Sequence, residues 1–192
     1  MMQILDTNFK EVKLLKKRIF SDNRGYFVEN FHQQKIEEFL SKKISFCQEN
    51  ESCSKKHTLR GLHYQMHPFS QTKLINIISG GIMDIIVDLR RNSPTFLKHI
   101  KIIMYANDNL QLFIPRGFAH GFIALEDFTK ISYMVDNFYN PQSERGILYN
   151  DPLLGIDWEV EDKDIILSEK DSCLPRIKDI EDFFDYSVDY YE

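Results

Sequence analysis

Six ionisable side chains in the sequence are of the types that move protons next to a carbonyl group: His63, Lys73, Asp84, His120, Tyr133 and Asp171. A histidine can remove such a proton when a carboxylate holds its tautomer, and a tyrosine can return one from the opposite side. The resulting enolate needs a nearby cation, and Lys73 is the right kind of group. Three more cations, Arg24, Arg60 and Lys170, suit phosphate oxygens. Taken alone, a histidine in a strand is more often a packed core residue.

The elements that must position these groups are predicted to be strands. Six apolar runs follow one another, separated by polar turns: 74–78, 81–89, 97–104, 110–114, 117–125 and 130–135. No helix of the size that joins parallel strands intervenes, so the pattern favours an antiparallel sandwich or barrel. Upstream, residues 46–54 alternate and place Gln48, Asn50, Ser52 and Ser54 on one face of a strand. By itself that row also fits the solvated face of an antiparallel sheet.

Both ends of the chain add shorter elements. Residues 12–20 predict an edge strand with outward lysines, followed by a tight turn over 21–27. Helical spacing of apolar residues predicts a short helix from Gln33 to Lys42. The last residues, 177–192, are acidic and rich in tyrosine, and they leave both a packed helix and a frayed tail open.

Composition excludes several classes of protein. A length of 192 residues with 43% hydrophobic residues fits a single domain, 1–192, with a substantial core. A net charge of -5 argues against a general nucleic-acid or anionic-membrane binder. The three cysteines form no C-x-x-C pair, which predicts reduced thiols in a cytoplasm. The polar N-terminus and the lack of a long apolar window predict neither a signal peptide nor a membrane span.

A metal site is the main alternative for the two histidines. The segment Pro115 to His120 matches the P-x-G-x-x-H element of cupin barrels, in which the histidine can bind a metal. The companion element needs two histidines one residue apart, so that both point into the barrel. Here His63 is followed by Gln65 instead. Because that ligand set is broken, we expect no metal cofactor.

Seven strings of the sequence together resemble the dTDP-4-dehydrorhamnose 3,5-epimerase family. They are Gln48-x-Asn50-x-Ser52, Leu59-Arg60-Gly61-Leu62-His63-Tyr64-Gln65, Gln71-Thr72-Lys73-Leu74, Val87-Asp88-Leu89-Arg90, Ser93-Pro94-Thr95-Phe96, Ile114-Pro115-Arg116-Gly117-Phe118-Ala119-His120-Gly121-Phe122 and Asn150-Asp151-Pro152. The resemblance covers about residues 22–175 in order, leaving an acidic tail at 177–192. Seven collinear motifs are strong evidence where any one would be modest.

The resemblance implies an all-β cupin jelly-roll barrel with short N-terminal and C-terminal helices, working as a homodimer without cofactor or metal. Its substrate would be a dTDP-linked 4-keto-6-deoxy sugar. In this family the histidine at position 63 removes the protons at C3 and C5, and Asp171 orients it. Tyr133 is the acid on the other face of the sugar, and Lys73 stabilises the enolate oxygen. Independently of the resemblance, we expect Asp84, which shares a strand face with Ile82 and Ile86, to brace Lys73.

The resemblance also implies how the substrate is held. His120 and Arg60 would contact the sugar and phosphate, and one aromatic residue before the P-x-x-E turn would stack on thymine. Residues of the 24–29 region would reach the neighbouring subunit's nucleotide. The substrate-binding residues expected on this basis are Arg24, Phe27, Glu29, Gln48, Asn50, Arg60, His120, Phe138, Tyr139, Glu144 and Lys170.

The sequence departs from the family pattern at a few positions. Met134 stands where lysine is usual after the catalytic tyrosine, and Phe138 where tyrosine is usual. Phe113 and Glu159 likewise replace a frequent tryptophan and proline. These changes leave the nucleotide and the exact sugar open. Three functions follow: the 3,5-epimerase, a C3-only or C5-only epimerase of a related sugar, and a non-catalytic cupin that binds a nucleotide sugar.

Overall fold

Two antiparallel β-sheets face each other in the computed structural model, which describes residues 3–40 and 42–192. Their strands are β1 (Gln3–Asp6), β2 (Lys13–Lys16), β5 (Gln48–Ser54), β6 (Leu59–Gln65), β7 (Lys73–Ser79), β8 (Gly81–Asp88), β10 (His99–Tyr105), β11 (Leu110–Ile114), β12 (Phe118–Ala124), β13 (Thr129–Val135) and β14 (Glu144–Gly146). The remaining elements are the hairpin β3 (Ile19–Asp22) and β4 (Gly25–Val28), helices α1 (Gln33–Leu40) and α2 (Glu169–Ser172), and the short strands β9 (Arg90–Arg91) and β15 (Phe184–Asp185). The predicted all-β jelly-roll architecture is confirmed.

The order of strands explains which side chains can meet. The six-stranded sheet runs β1-β2-β11-β7-β13-β5, and the five-stranded sheet runs β10-β8-β12-β6-β14. Each of the six predicted apolar runs forms a strand of one of these sheets. β2 lies between β1 and β11, so the prediction of an edge strand over residues 12–20 is wrong there.

Apolar residues fill both sides of the five-stranded sheet. One core lies between the two sheets and includes Ile77, Ile86 and Ile131. A second core covers the other face with residues of the C-terminal half, such as Trp158 and Phe184. Because both faces are covered, every residue of β8 is buried, which explains its nearly continuous apolar sequence.

The predicted N-terminal helix is present as α1. Ile36 is its buried residue, as the helical spacing of apolar side chains predicts. The helix ends at Leu40, two residues before the predicted end at Lys42, and Ser41 lies outside the described residues.

The C-terminal segment is neither a packed helix nor a frayed tail. One 3-10 turn covers Ile177–Asp179, and β15 then pairs in parallel with β9. Phe184 is 1% exposed, so the segment is packed although it is mostly irregular. No α-helix forms within residues 177–192, where the sequence left one open, and the short helix α2 lies upstream of this segment. No helix among residues 3–40 and 42–192 has the length and apolar character needed to cross a bilayer.

Candidate active site

A cavity of about 500 Å³ opens between the facing sheets. Its volume is in the range of pockets that hold small organic ligands. Most of the residues predicted from the sequence line it: Gln48, Asn50, Arg60, His63, Lys73, His120, Tyr133, Tyr139, Glu144, Lys170 and Asp171. The pleat places those that lie on strands, because residues two apart on a strand point to the same face, whereas Tyr139 lies in a loop and Lys170 and Asp171 lie on α2.

The polar row on β5 is one wall of this cavity. Gln48, Asn50 and Ser52 all line it, and Asn50 is the register partner of Tyr133 on β13. Directly opposed residues of antiparallel strands project from the same face of a sheet. The row is therefore a polar wall of the cavity and not an outer solvated face.

His63 and Asp171 form a hydrogen-bonded pair on the opposite wall. His63 Nε2 lies 2.6 Å from Asp171 Oδ1. The Asp171 side chain is 6% exposed, and its amide donates to Ser168 Oγ, which caps α2. Burial alone would raise the pKa of Asp171, but hydrogen bonds from His63, Ser168 and the Gly61 amide lower this pKa below its usual value. Asp171 thus stays ionised and holds the His63 ring.

Tyr133 faces the cavity from the six-stranded sheet, whereas His63 faces it from the five-stranded sheet. Burial raises the pKa of the Tyr133 phenol, and the charge of Arg60 opposes this effect. The phenol is therefore protonated at neutral pH and can donate a proton. An imidazole and a phenol on opposite walls can act on the two faces of one sugar ring.

Lys73 begins β7 and also lines the cavity. Burial lowers the pKa of its ammonium group to about 8, although the charges of Asp136, Asp84 and Glu144 oppose the shift. No ion pair of Lys73 occurs among the described residues of the chain. Its ammonium group is thus available to an anionic oxygen of a ligand.

Asp84, which was expected to brace Lys73, contacts His120. The distance from His120 Nε2 to Asp84 Oδ2 is 2.8 Å, and the Asp84 side chain is 0% exposed. Asp84 acts on Lys73 only through its charge. His120 and His63 are register partners on β12 and β6, so their rings share one face of the sheet. Across residues 3–40 and 42–192, no three His, Cys, Asp or Glu side chains are grouped so that they could hold a metal ion.

Glu144 joins two predicted binding residues at the rim of the cavity. The Tyr139 hydroxyl donates to Glu144 Oε2 at 2.8 Å, and Lys170 Nζ lies 2.7 Å from Glu144 Oε1. Burial alone would raise the pKa of Glu144, but the hydrogen bonds from Lys170 and Tyr139 lower this pKa. Tyr139 lines the cavity, whereas Phe138 is 63% exposed and does not. Of the predicted stacking pair, only Tyr139 therefore borders the cavity.

Gln65 is a positioning residue to which the sequence patterns assigned no role. It is 4% exposed, and its amide oxygen accepts the N–H of Asn140 at 2.8 Å. Its amide nitrogen donates to the carbonyls of Phe69 at 2.7 Å and Phe138 at 3.2 Å. These bonds fix the loop that carries Tyr139. The signal was present, because Gln65 is two residues after His63 and so shares its strand face.

Three predicted binding residues lie outside the cavity, in or just after the hairpin β3–β4. Arg24 has an 85% exposed side chain and pairs with Asp22 at 2.6 Å. Phe27 is 69% exposed, and Glu29 pairs with Lys35. Within this chain these side chains do not contribute to the cavity that holds His63.

Comparisons with known proteins agree with this geometry. The family model described as dTDP-4-dehydrorhamnose 3,5-epimerase matches residues 6–179. A dTDP-4-dehydrorhamnose 3,5-epimerase of Shigella flexneri is 42% identical over 170 residues, which are 88% of this chain and 93% of that protein.

Two solved structures are informative. The dTDP-6-deoxy-D-glucose-3,5-epimerase of Legionella pneumophila Philadelphia 1, in complex with dTDP-4-keto-L-rhamnose, is 37% identical with a TM-score of 0.93 and covers 98% of this chain and 100% of its own. A 3'-monoepimerase of Streptomyces bikiniensis, in complex with dTDP-quinovose, is 28% identical with a TM-score of 0.83 and covers 90% of this chain and 86% of its own. With the family model matching most of its length, this chain belongs to the dTDP-4-dehydrorhamnose 3,5-epimerase family.

Proposed function

We propose that the protein inverts C3 and C5 of dTDP-4-dehydro-6-deoxy-D-glucose to give dTDP-4-dehydro-L-rhamnose. One observation carries this proposal: the His63–Asp171 pair and Tyr133 border one cavity from opposite sheets, and Lys73 lines the same cavity. The Shigella flexneri relative is named for the same activity.

Each inversion begins with removal of a proton from a carbon next to the C4 ketone. His63 takes that proton, and Asp171 stabilises the imidazolium that forms. The electron pair of the broken C–H bond moves onto the ketone oxygen and gives an enolate. The Lys73 ammonium group stabilises that negative oxygen.

The inversion is completed from the other face of the ring. Tyr133 donates its phenolic proton to the same carbon, and the enolate returns to the ketone. His63 then gives its proton to water and Tyr133 regains one, which the 31% exposed His63 side chain permits. C3 and C5 both flank the C4 ketone, so one base, one acid and one cation serve both inversions without a cofactor.

The nucleotide part of the substrate needs cations and an aromatic surface. Arg60 and Lys170 line the cavity, and we infer that they contact phosphate oxygens and that His120 contacts the sugar. Tyr139, at the rim, is the proposed stacking partner of thymine. Gln48 and Asn50 offer hydrogen bonds to the sugar or base.

A homodimer is the proposed active form. The hairpin β3–β4 exposes Phe27 and Tyr26, at 69% and 72%, which supports a contact that covers it. In a dimer, Arg24, Phe27 and Glu29 reach the neighbouring subunit's nucleotide. If so, Arg24→Ala weakens dTDP binding by a factor of about 10, as titration calorimetry would measure, and unchanged binding would contradict this role.

We also propose that the chain forms a single domain and that it works in a reducing cytoplasm. The two sheets share the core that contains Ile77, Ile86 and Ile131, which supports one domain over residues 1–192. The free thiols of Cys47, Cys53 and Cys173 support a reducing compartment.

Solvent deuterium exchange tests the activity directly. The protein is incubated in deuterium oxide with dTDP-4-dehydro-6-deoxy-D-glucose, and NMR locates the label. Label at both C3 and C5 is expected. Label at only one of these carbons would favour a C3-only or C5-only epimerase of a related sugar, the former being the activity named for the Streptomyces bikiniensis relative. Tight binding without any exchange would favour a non-catalytic nucleotide-sugar-binding cupin.

The variant His63→Ala tests the assigned base. It should abolish exchange and leave the affinity for dTDP within about twofold of the wild type, because the imidazole acts on the sugar carbons. The matched control is His99→Ala, since His99 lies on β10 and does not line the cavity. A comparable loss of dTDP binding in His63→Ala would instead indicate a structural histidine.

A further inference from the structure

The last residues of the chain form a segment to which the proposed epimerisation assigns no role. The family model ends at residue 179, so this segment lies beyond it. The segment nevertheless packs on the barrel: Phe184 is 1% exposed, and its amide donates to the Leu89 carbonyl at 3.1 Å. We call residues 184–191 the C-terminal strap, because both of its ends are bonded to the barrel.

Tyr191 bonds the far end of the strap to the loop before β7. Its hydroxyl lies 2.7 Å from Thr72 Oγ1 and accepts the backbone N–H of Arg116 at 3.2 Å. The Arg116 guanidinium donates to the Tyr190 carbonyl at 2.5 Å. Thr72 is 0% exposed, so water cannot easily replace the tyrosine as the partner of its hydroxyl.

Thr72 directly precedes Lys73, and it belongs to a small polar network. The Thr72 amide donates to Asp136 Oδ1 at 2.6 Å, and Arg116 Nε donates to Asp136 Oδ2 at 3.2 Å. Asp136 is in turn the carboxylate whose charge most opposes the lowering of the Lys73 pKa by burial. The strap therefore contacts Thr72 and Arg116, and both of these residues bond to Asp136, the carboxylate whose charge acts on Lys73.

We propose that Tyr191 is a positioning residue for Lys73, acting through Thr72 and Arg116. This inference rests on the proposed function, because it concerns the group that would stabilise the enolate. Tyr191 itself does not line the active-site cavity. Its hydroxyl fixes the first residues of β7, so that the ammonium group meets the ketone oxygen where negative charge develops.

The test is Tyr191→Phe in the full chain, assayed for epimerisation of dTDP-4-dehydro-6-deoxy-D-glucose. The variant keeps the ring over Arg116 and removes only the hydroxyl. We expect kcat to fall by about 3- to 10-fold and KM to stay within about twofold, because the bond matters most in the transition state. A variant that lost only strap packing would lower the unfolding midpoint and leave kcat unchanged.

Tyr186→Phe is the matched control within the strap. The Tyr186 ring stacks with Arg90 at 4.9 Å, and no hydrogen bond of its hydroxyl occurs within residues 3–40 and 42–192. The same chemical change should therefore leave kcat and KM at their wild-type values. An equal loss of kcat in both variants would overturn the inference.

A double-mutant cycle with Thr72 separates coupling from general loosening. Thr72→Val removes the same hydrogen bond from the other side, so the double variant should lose no more kcat than the worse single variant. Thr72→Ser keeps the hydroxyl and should retain wild-type kcat. If the kcat losses of the two single variants multiplied in the double variant, or if Tyr191→Phe kept wild-type kcat, the role of Tyr191 would be overturned and the proposed function would stand. An inactive wild-type protein would instead overturn the proposed function.

Discussion

At the scale of single residues, the site depends on which nitrogen of His63 holds the proton. Nε2 lies 2.6 Å from the Asp171 carboxylate, and the low pKa of Asp171 keeps that carboxylate charged. A charged carboxylate accepts only, so Nε2 must donate, and Nδ1 is left as the proton acceptor. The assignment makes Asp171 necessary for the chemistry although it need not touch the sugar.

Asp171→Asn tests this assignment. An amide can present its N–H to Nε2 and favour the wrong tautomer, and it carries no charge to stabilise the imidazolium. We expect kcat to fall by roughly 10²- to 10⁴-fold, measured as the rate of deuterium incorporation at C3. Binding of dTDP should be unchanged, because Asp171 faces the imidazole. A kcat within about threefold of wild type, roughly the effect of one weak hydrogen bond, would contradict the assignment.

The pKa of Lys73 predicts where the activity declines at alkaline pH. The group stabilises an enolate only when protonated, so the contribution is present below its pKa and disappears as pH rises through about 8. The profile of kcat/KM for the wild type should therefore decline near that pH. Tyr133 cannot explain such an early decline, because burial raises its pKa above the usual tyrosine value.

Lys73→Arg is the matched control for this profile. Arginine keeps the charge at all accessible pH values, so the decline should move to higher pH even if kcat is reduced. The profile is measured by initial rates at constant ionic strength. An unchanged midpoint in Lys73→Arg would show that another group titrates.

At the scale of elements, two glycines allow β6 and β12 to bring His63 and His120 together. A side chain at Gly61 would place its Cβ 2.5 Å from the Gly121 Cα and 2.9 Å from the His120 carbonyl oxygen. The pairing of the two strands shifts register at this point, between His120 and Phe122. The close approach thus sets the relative position of both imidazole rings.

Gly61→Ala should destabilise the protein strongly. The added methyl group meets backbone atoms that cannot rotate away, and the residue has a φ of 126° that disfavours any side chain. We expect a loss of roughly 2 to 4 kcal/mol in the free energy of unfolding, measured by urea denaturation.

Gly25→Ala controls for the backbone conformation alone. Gly25 has a similar φ of 135°, but nothing lies within 4 Å of the position that an added methyl group would take. Its variant should therefore lose less, about 1 kcal/mol. Equal losses in the two variants would show that the backbone conformation, and not the contact with β12, accounts for the effect.

At the scale of the whole molecule, the C-terminal half covers the outer face of the five-stranded sheet. Asp88, the last residue of β8, lies where this half meets the sheet. Its carboxylate accepts hydrogen bonds from Arg90, Ser93 and Thr95, and it is 0% exposed. Arg90 in turn contacts Tyr186 of the C-terminal strap and pairs with Glu11. One buried carboxylate thus connects the end of β8 to both ends of the chain.

Asp88 should make the stability of the fold sensitive to acid. Burial alone would raise its pKa, but the hydrogen bonds from Arg90, Ser93 and Thr95 lower the pKa below that of an unfolded aspartate. A lowered pKa contributes stability above the unfolded value, about 3.9, and that contribution is lost as pH falls through the folded value.

Asp88→Asn should reveal this contribution. The variant leaves Arg90 buried without its carboxylate, so it should lose about 3 kcal/mol at neutral pH, and the difference from wild type should shrink below about pH 3. Urea denaturation at neutral pH and below about pH 3 measures this difference in the free energy of unfolding. Asp6→Asn, at an 85% exposed carboxylate, is the control and should leave the midpoint unchanged. If the stability difference between Asp88→Asn and the wild type stayed constant across pH, the proposed acid sensitivity would be contradicted.

The sequence by itself determined the fold class and most of the site. Short apolar runs with polar turns can hardly form anything but an antiparallel β structure, and alternation along a strand assigns Gln48, Asn50 and Ser52 to one face. The strings around His63, Lys73 and His120 then identified the family, because they combine several residue types at fixed spacing.

Only the tertiary structure decided how distant residues pair. Asp84 bonds to His120 and not to Lys73, and Tyr139 instead of Phe138 borders the cavity, because these choices depend on the register and packing of separate strands and loops. The C-terminal strap is the clearest case. Its residues lack helical or strand periodicity, so only the barrel surface that receives Phe184 and Tyr191 fixes their conformation.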